Sequence, residues 1–158
     1  MSLQTGRKLM DNITFFNRFT LALFEKLYSS FPTPVEIDVK SIAMSVISKE
    51  SEFNETFESL SAPEDAIHFL AQEGFLTYKG TYLEGGTFLQ SRLTLKGLAI
   101  LGSTPDSLEG KLPLIDRIRK VLSGGSKEAG AEAVRQITQQ AFAAAVAVGP
   151  TICATFTK

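Results

Sequence analysis

Residues 61–101 read SAPEDAIHFLAQEGFLTYKGTYLEGGTFLQSRLTLKGLAIL, and this stretch predicts a helix, a two-stranded β-ribbon and a short closing helix. Ser61 and Glu64 form the S-x-x-E pattern of a capping box, in which each side chain caps a backbone N–H of the first turn. Apolar residues then recur with helical spacing, and Gly74 supplies a left-handed stop. The helix should therefore end directly before the ribbon.

The ribbon is predicted from two strand-like segments around a glycine-rich tip. Residues 75–79 and 88–93 have strand composition, and the connection at residues 80–87 contains Gly85-Gly86. Thr94 can then cap a last helical turn that reaches Leu101. Antiparallel pairing of the two segments is the main structural expectation.

A long helix and a short strand are predicted upstream. The helix starts at Asp11 or Asn12, buries a face rich in phenylalanine, and ends before Pro32. Residues 35–37 alternate between apolar and charged side chains, as a short strand does.

The segment between this strand and Ser61 leaves two alternatives open. Asp38 can cap a helix over residues 39–48, and the acidic segment 49–60 carries aromatic residues at helical spacing. Either residues 39–48 are the supporting helix of a helix-turn-helix, followed by an insertion, or residues 52–60 are. Direct succession to the strand favours the first alternative.

Two motifs carry a resemblance to a known family. The pattern G-F-L-x-Y begins at Gly74, and L-T-x-K-G-L-x-x-L ends at Leu101. Together they resemble the winged helix-turn-helix regulators of the broad MarR/PadR type, over residues 15–101. The resemblance implies an α+β, mostly helical fold: a three-helix core with a β-ribbon wing, followed by C-terminal helices. It also implies that the upstream strand pairs with the ribbon and that dimerisation uses a helix beyond the wing.

Breaks in composition divide the chain into five parts. Glycine, serine and proline punctuate the sequence after Leu101, and Gly149-Pro150 should stop the last helix. The predicted parts are a 1–14 N-terminal arm, a 15–101 winged-helix domain, a 102–111 linker, a 112–148 C-terminal helical region and a 149–158 flexible tail.

Composition limits the classes of function. The chain has 158 residues, a net charge of −1, one histidine and one cysteine. Near-neutral charge gives no general attraction to nucleic acid or anionic membranes, and one cysteine excludes an intramolecular disulfide or a cysteine-rich zinc site. Because no nucleophile motif or phosphate loop occurs, we expect a non-enzymatic protein without cofactor or metal. The absence of an N-terminal signal and of a long apolar segment predicts a cytoplasmic protein.

The predicted helix before the ribbon would enter the DNA major groove if the domain bound DNA. It contains Glu64, Asp65 and Glu73 but no Lys or Arg, and residues 1–105 hold nine basic against twelve acidic residues. Because phosphate contacts dominate affinity, this charge predicts weak DNA binding. The candidate nucleic-acid contacts are His68, Gln72, Lys79, Tyr82, Arg92 and Lys96.

A heptad-like seam runs along the last predicted helix, residues 127–148. Its members are small or branched, with one large anchor, and they are Val134, Ile137, Ala141, Phe142 and Val148. Either the seam makes a homodimer, or the helix folds back on residues 112–122 or on the first helix. Three functions thus stay open: a protein-contact or weak DNA-binding module, a DNA-binding transcriptional regulator, and an adaptor or membrane-peripheral protein acting through residues 112–154.

Overall fold

The computed structural model describes residues 12–47, 61–104, 112–124 and 130–156, with side chains to residue 147 except those of Ser61 and Ala131. These ranges contain helices and a small antiparallel sheet, which confirms the α+β, mostly helical class. The acidic segment 49–60, and with it the second candidate for a supporting helix, lies outside the described residues. The elements are α1 (Asn12–Ser30), β1 (Val35–Asp38), α2 (Val39–Ser45), α3 (Ser61–Gln72), β2 (Leu76–Thr77), β3 (Gly80–Thr81), β4 (Thr87–Leu93), α4 (Leu95–Gly102), α5 (Leu114–Ser123) and α6 (Ala131–Phe156).

Strand β4 is the centre of the sheet. It pairs antiparallel with β1 on one side and with β2 and β3 on the other, so the expected pairing of the ribbon is confirmed. Leu76 lies opposite Leu93, and Ile37 lies opposite Phe88. The ribbon is longer than predicted, because β3 falls in the segment expected to be the tip. A bulge interrupts the β1–β4 ladder where Gln90 has a φ of 52°.

Helix α2 has the predicted cap but ends earlier than predicted. The side chain of Asp38 accepts a hydrogen bond from the backbone N–H of Ser41 at 3.3 Å. The helix was expected to reach residue 48, and it ends at Ser45. Val46 and Ile47 instead bond back three residues and are buried in the core, so the last turn tightens and the chain leaves the helix.

The end of α3 follows the Schellman pattern. Gly74 has a φ of +90°, which an L side chain rarely adopts. Its N–H donates to the carbonyl of Ala71, and the N–H of Phe75 donates to that of Leu70. The predicted glycine stop is confirmed, and β2 begins two residues later.

The C-terminal helices complete the same core. Leu114, Ile118 and Ile137 are buried in one cluster with Phe19 and Leu27 of α1. Helix α6 was expected to stop at Gly149-Pro150, but it continues to Phe156, so the expected stop is wrong. A proline costs an interior helix about 3 kcal/mol, but the turns on either side keep their own hydrogen bonds. Within the described ranges, no helix has the length and apolar character needed to span a membrane.

Candidate interaction surface

Helix α3 buries one side against the core and exposes the other. Ile67 and Leu70 of the predicted apolar stripe are buried, its third member Ala71 is partly buried, and Ala66 beside them is buried as well. The opposite side is exposed and consists of Asp65, His68, Phe69, Gln72 and the following Glu73. It contains no Lys or Arg, and Phe69 keeps 46% of its surface exposed.

His68 is tied to the ribbon by a ring cluster. Its Nδ1 lies 2.8 Å from the hydroxyl oxygen of Tyr78, within hydrogen-bonding distance. The His68 and Tyr78 rings both stand edge-on to the buried ring of Phe88, with centroids 5.2 Å and 4.8 Å away. His68 and Tyr78 therefore join α3 to the sheet, which accounts for their positions without a bound ligand.

Two of the predicted cationic contacts are occupied within the protein. Lys96 donates to the backbone carbonyl of Glu73 at 3.0 Å, which places a cation at the C-terminal end of α3. Arg92 donates to the carbonyl of Pro32 at 3.4 Å, in the loop between α1 and β1. Gln72 and Lys79 are exposed. The structure brings His68 and Gln72 to one exposed side of α3.

The tip of the ribbon is fastened to two helices. The carboxylate of Glu64 accepts a hydrogen bond from the backbone N–H of Gly86 at 2.7 Å, and the carbonyl of Gly86 accepts one from Val39. Glu64 thus contacts the tip, and the side chain of Ser61, its expected capping-box partner, lies outside the described part. Tyr82, a candidate nucleic-acid contact, donates from its hydroxyl to Glu36 at 3.4 Å, and Leu83 is fully exposed. The tip therefore presents apolar and acidic groups.

The predicted self-association seam lies inside the chain's own fold. Val134, Ile137 and Ala141 are buried, and Phe142 packs between Phe16 and Phe75 with both centroid distances at 5.8 Å. Helix α6 packs against α1, α4 and α5, which is the fold-back alternative. Val148 lies in α6, but its side chain is outside the described part. Self-association stays a prediction, and it would need α6 to leave this packing or another surface to be used.

The sequence analysis missed an apolar surface that three helices share. We call it the three-helix apolar surface, and its members are Ile13 and Phe16 of α1, Phe69 of α3, and Phe142 and Val146 of α6. Phe16 connects the helices, because its ring lies 5.8 Å from the rings of both Phe69 and Phe142. One signal was present in the sequence: Phe69 lies off the apolar stripe of α3, beside His68.

Two further features bear on a metal or cofactor site. They contain no group of three His, Cys, Asp or Glu side chains that could hold a metal ion. A cavity of about 80 Å³ lies between α1, α2, α5 and α6, with Arg18 in its wall. Ligand pockets usually enclose at least about 300 Å³, so this cavity is small for a cofactor. Comparisons of the chain with protein-family models, curated proteins and solved structures found no match.

Proposed function

We propose that residues 15–101 form a winged-helix domain that works as a non-enzymatic protein-interaction module. The order α1, β1, α2, α3, β2, β3, β4 supports this proposal, as does the position of β1 beside β4. The ribbon directly follows α3. In the winged-helix regulators that the sequence resembles, the helix before the wing is the one that would face the DNA groove. Helices α5 and α6 then brace the domain through the common core.

The exposed side of α3 is the observation that carries the protein-contact function. Asp65 and Glu73 are exposed on it and would face phosphates if α3 lay in a DNA groove. That arrangement is repulsive, and it provides no counterion release to favour binding. Phe69 is half-exposed between them, and aromatic side chains are enriched at the centre of protein interfaces.

A DNA-binding regulator is the second candidate. Gln72 is exposed on α3, and glutamine can form a bidentate pair with adenine. Lys79 is exposed on the ribbon, where it could contact phosphate. These two residues favour at most weak binding. An adaptor acting through residues 112–154 has less support, because the seam of α6 is internal.

Fluorescence anisotropy of a labelled random duplex, titrated with the full chain at physiological salt, tests the proposal. We expect no saturation at low micromolar protein. Non-specific DNA affinity depends on phosphate contacts, and the exposed side of α3 carries carboxylates instead of Lys or Arg. Sub-micromolar binding that weakens steeply with added salt would overturn the proposal in favour of the regulator. In that case Lys79→Ala and Arg92→Ala should each weaken binding to every sequence alike.

A further inference from the structure

The three-helix apolar surface has a defined geometry. Phe142 contacts Phe16, whereas Val134 shares a cavity wall with Leu21, so α6 runs antiparallel to α1. Ile13 lies one turn before Phe16, and Val146 lies one turn after Phe142. The two exposed aliphatic side chains therefore lie at the same end of the α1–α6 pair, on the side where Phe16 contacts Phe69.

This surface combines exposure with rigid support. Ile13 is 60% exposed, Phe69 46% and Val146 72%. Phe16 and Phe142 lie beneath them, half-buried and packed on the core. Clustered apolar groups of this kind mark interaction sites, and side chains already held in place lose little entropy when a partner binds.

The charge around Phe69 is acidic along α3. Asp65 lies one turn before Phe69 and Glu73 one turn after it, and both are exposed. Glu73 lies eight positions after Asp65, which corresponds to about 12 Å along the axis of a helix. Lys96 is held at the Glu73 carbonyl, next to the second of these carboxylates in sequence. The surface therefore presents an apolar centre between two carboxylates.

We propose that the three-helix apolar surface binds a basic amphipathic helix of a protein partner. The apolar face of that helix covers Phe69 and Val146, and Lys or Arg residues about two turns apart pair with Asp65 and Glu73. This is the helix-in-groove mode of recognition, in which spaced apolar anchors supply affinity and flanking charges set the register. The inference rests on the proposed protein-contact function and specifies the chemistry of the partner.

A pair of designed peptides tests the proposal. The first is a labelled 14-residue amphipathic helix of leucine and lysine, and the second has glutamate at every lysine position. Anisotropy titration with the full chain should show at least tenfold tighter binding of the leucine–lysine peptide. The double variant Asp65→Lys/Glu73→Lys should reverse this preference. The control Asp116→Lys/Glu132→Lys makes the same change in net charge on α5 and α6 and should retain the original preference.

Removal of the apolar anchors completes the test. Phe69→Ala and Val146→Asp should each weaken binding of the leucine–lysine peptide at least tenfold, with the folded state checked by circular dichroism. Equal affinity of the natural chain for the two peptides would overturn the proposal. So would a control double variant that loses the preference for the leucine–lysine peptide as fully as Asp65→Lys/Glu73→Lys does. A dimer by light scattering that Val146→Asp dissociates would also overturn it, because a second copy would then occupy the surface. Each of these outcomes would overturn the basic-helix proposal but leave the proposed protein-contact function standing. Tight binding of duplex DNA, in contrast, would overturn the protein-contact function itself.

Discussion

The carboxylate of Glu64 in α3 accepts a hydrogen bond from the backbone N–H of Gly86 at the ribbon tip, with 2.7 Å between the atoms. The carbonyl of Gly86 accepts from Val39 at the start of α2, so the two backbone polar groups of one residue are held by two helices. Gly85 and Gly86 have φ values of +81° and +84°, which let the tip turn towards Glu64. This contact fixes the position from which Leu83 projects.

We predict that Glu64→Ala destabilises the protein by about 1–2 kcal/mol, because a half-buried backbone donor loses its charged acceptor. Urea denaturation measures the loss, and hydrogen exchange at the Gly86 amide should accelerate. The control is Asp65→Ala, one residue along α3, where an exposed side chain should change stability by less than about 0.5 kcal/mol. Equal effects of the two substitutions would show that the contact contributes nothing.

The close contact between α4 and Phe75, the residue before β2, gives a second prediction. A Cβ added at Gly97 would lie 2.3 Å from the backbone oxygen of Phe75, whereas one at Gly80 meets nothing within 4 Å. Helix propensity alone would make Gly97→Ala stabilising by about 1 kcal/mol. We expect instead a loss of about 1–3 kcal/mol from overpacking against a backbone atom.

Thermal unfolding of Gly97→Ala and Gly80→Ala, measured side by side, checks this expectation. Gly80→Ala should be close to neutral, because its Cβ enters open space and its φ is not positive. A Gly97→Ala protein as stable as the natural chain would mean that α4 does not approach the backbone of Phe75 as closely as described.

Local patterns predicted the fold better than they predicted contacts across the chain. The glycine stop at Gly74, the cap at Asp38 and the antiparallel ribbon follow from neighbouring residues and are all present. The S-x-x-E pattern was equally local, but Glu64 has a partner 22 residues away, which no helical pattern reveals. Gly149-Pro150 likewise predicted the end of α6 from neighbouring residues alone, but α6 continues past it.

The candidate site was harder to predict, because it depends on how three helices meet. Val134, Ile137 and Ala141 of the predicted seam are buried, but the periodicity of α6 could not say which surface would cover them. Phe16 and Phe69 are 53 positions apart, and their contact arises only after α1 and α3 pack. The hydrogen bonds of Lys96 and Arg92 to backbone carbonyls likewise depend on tertiary structure.

Intramolecular packing of α6 gives a third prediction. Phe142→Ala should destabilise the protein by about 2–3 kcal/mol, because the ring packs between Phe16 and Phe75. Val146→Ala, one turn along, removes an exposed side chain and should cost less than about 0.5 kcal/mol. Urea denaturation at two protein concentrations makes the comparison. A midpoint that rises with protein concentration would favour self-association through the seam.

The central claim is that α3 occupies the position of a groove-facing helix and that its acidic exposed side keeps the domain from binding DNA. Measurement of duplex affinity against salt concentration, for the natural chain and for Asp65→Lys/Glu73→Lys, tests both parts together. The matched control is Asp116→Lys/Glu132→Lys, which changes the net charge equally on α5 and α6.

We expect the natural chain to bind a random duplex weakly and with a shallow dependence on salt. Two lysines on α3 should tighten binding at least tenfold and steepen the plot of log affinity against log salt by about 1.8, since each phosphate contact contributes about 0.9. The control variant should show a much smaller increase in DNA affinity. Sub-micromolar, steeply salt-dependent binding by the natural chain, or an equal gain in the two double variants, would contradict the account.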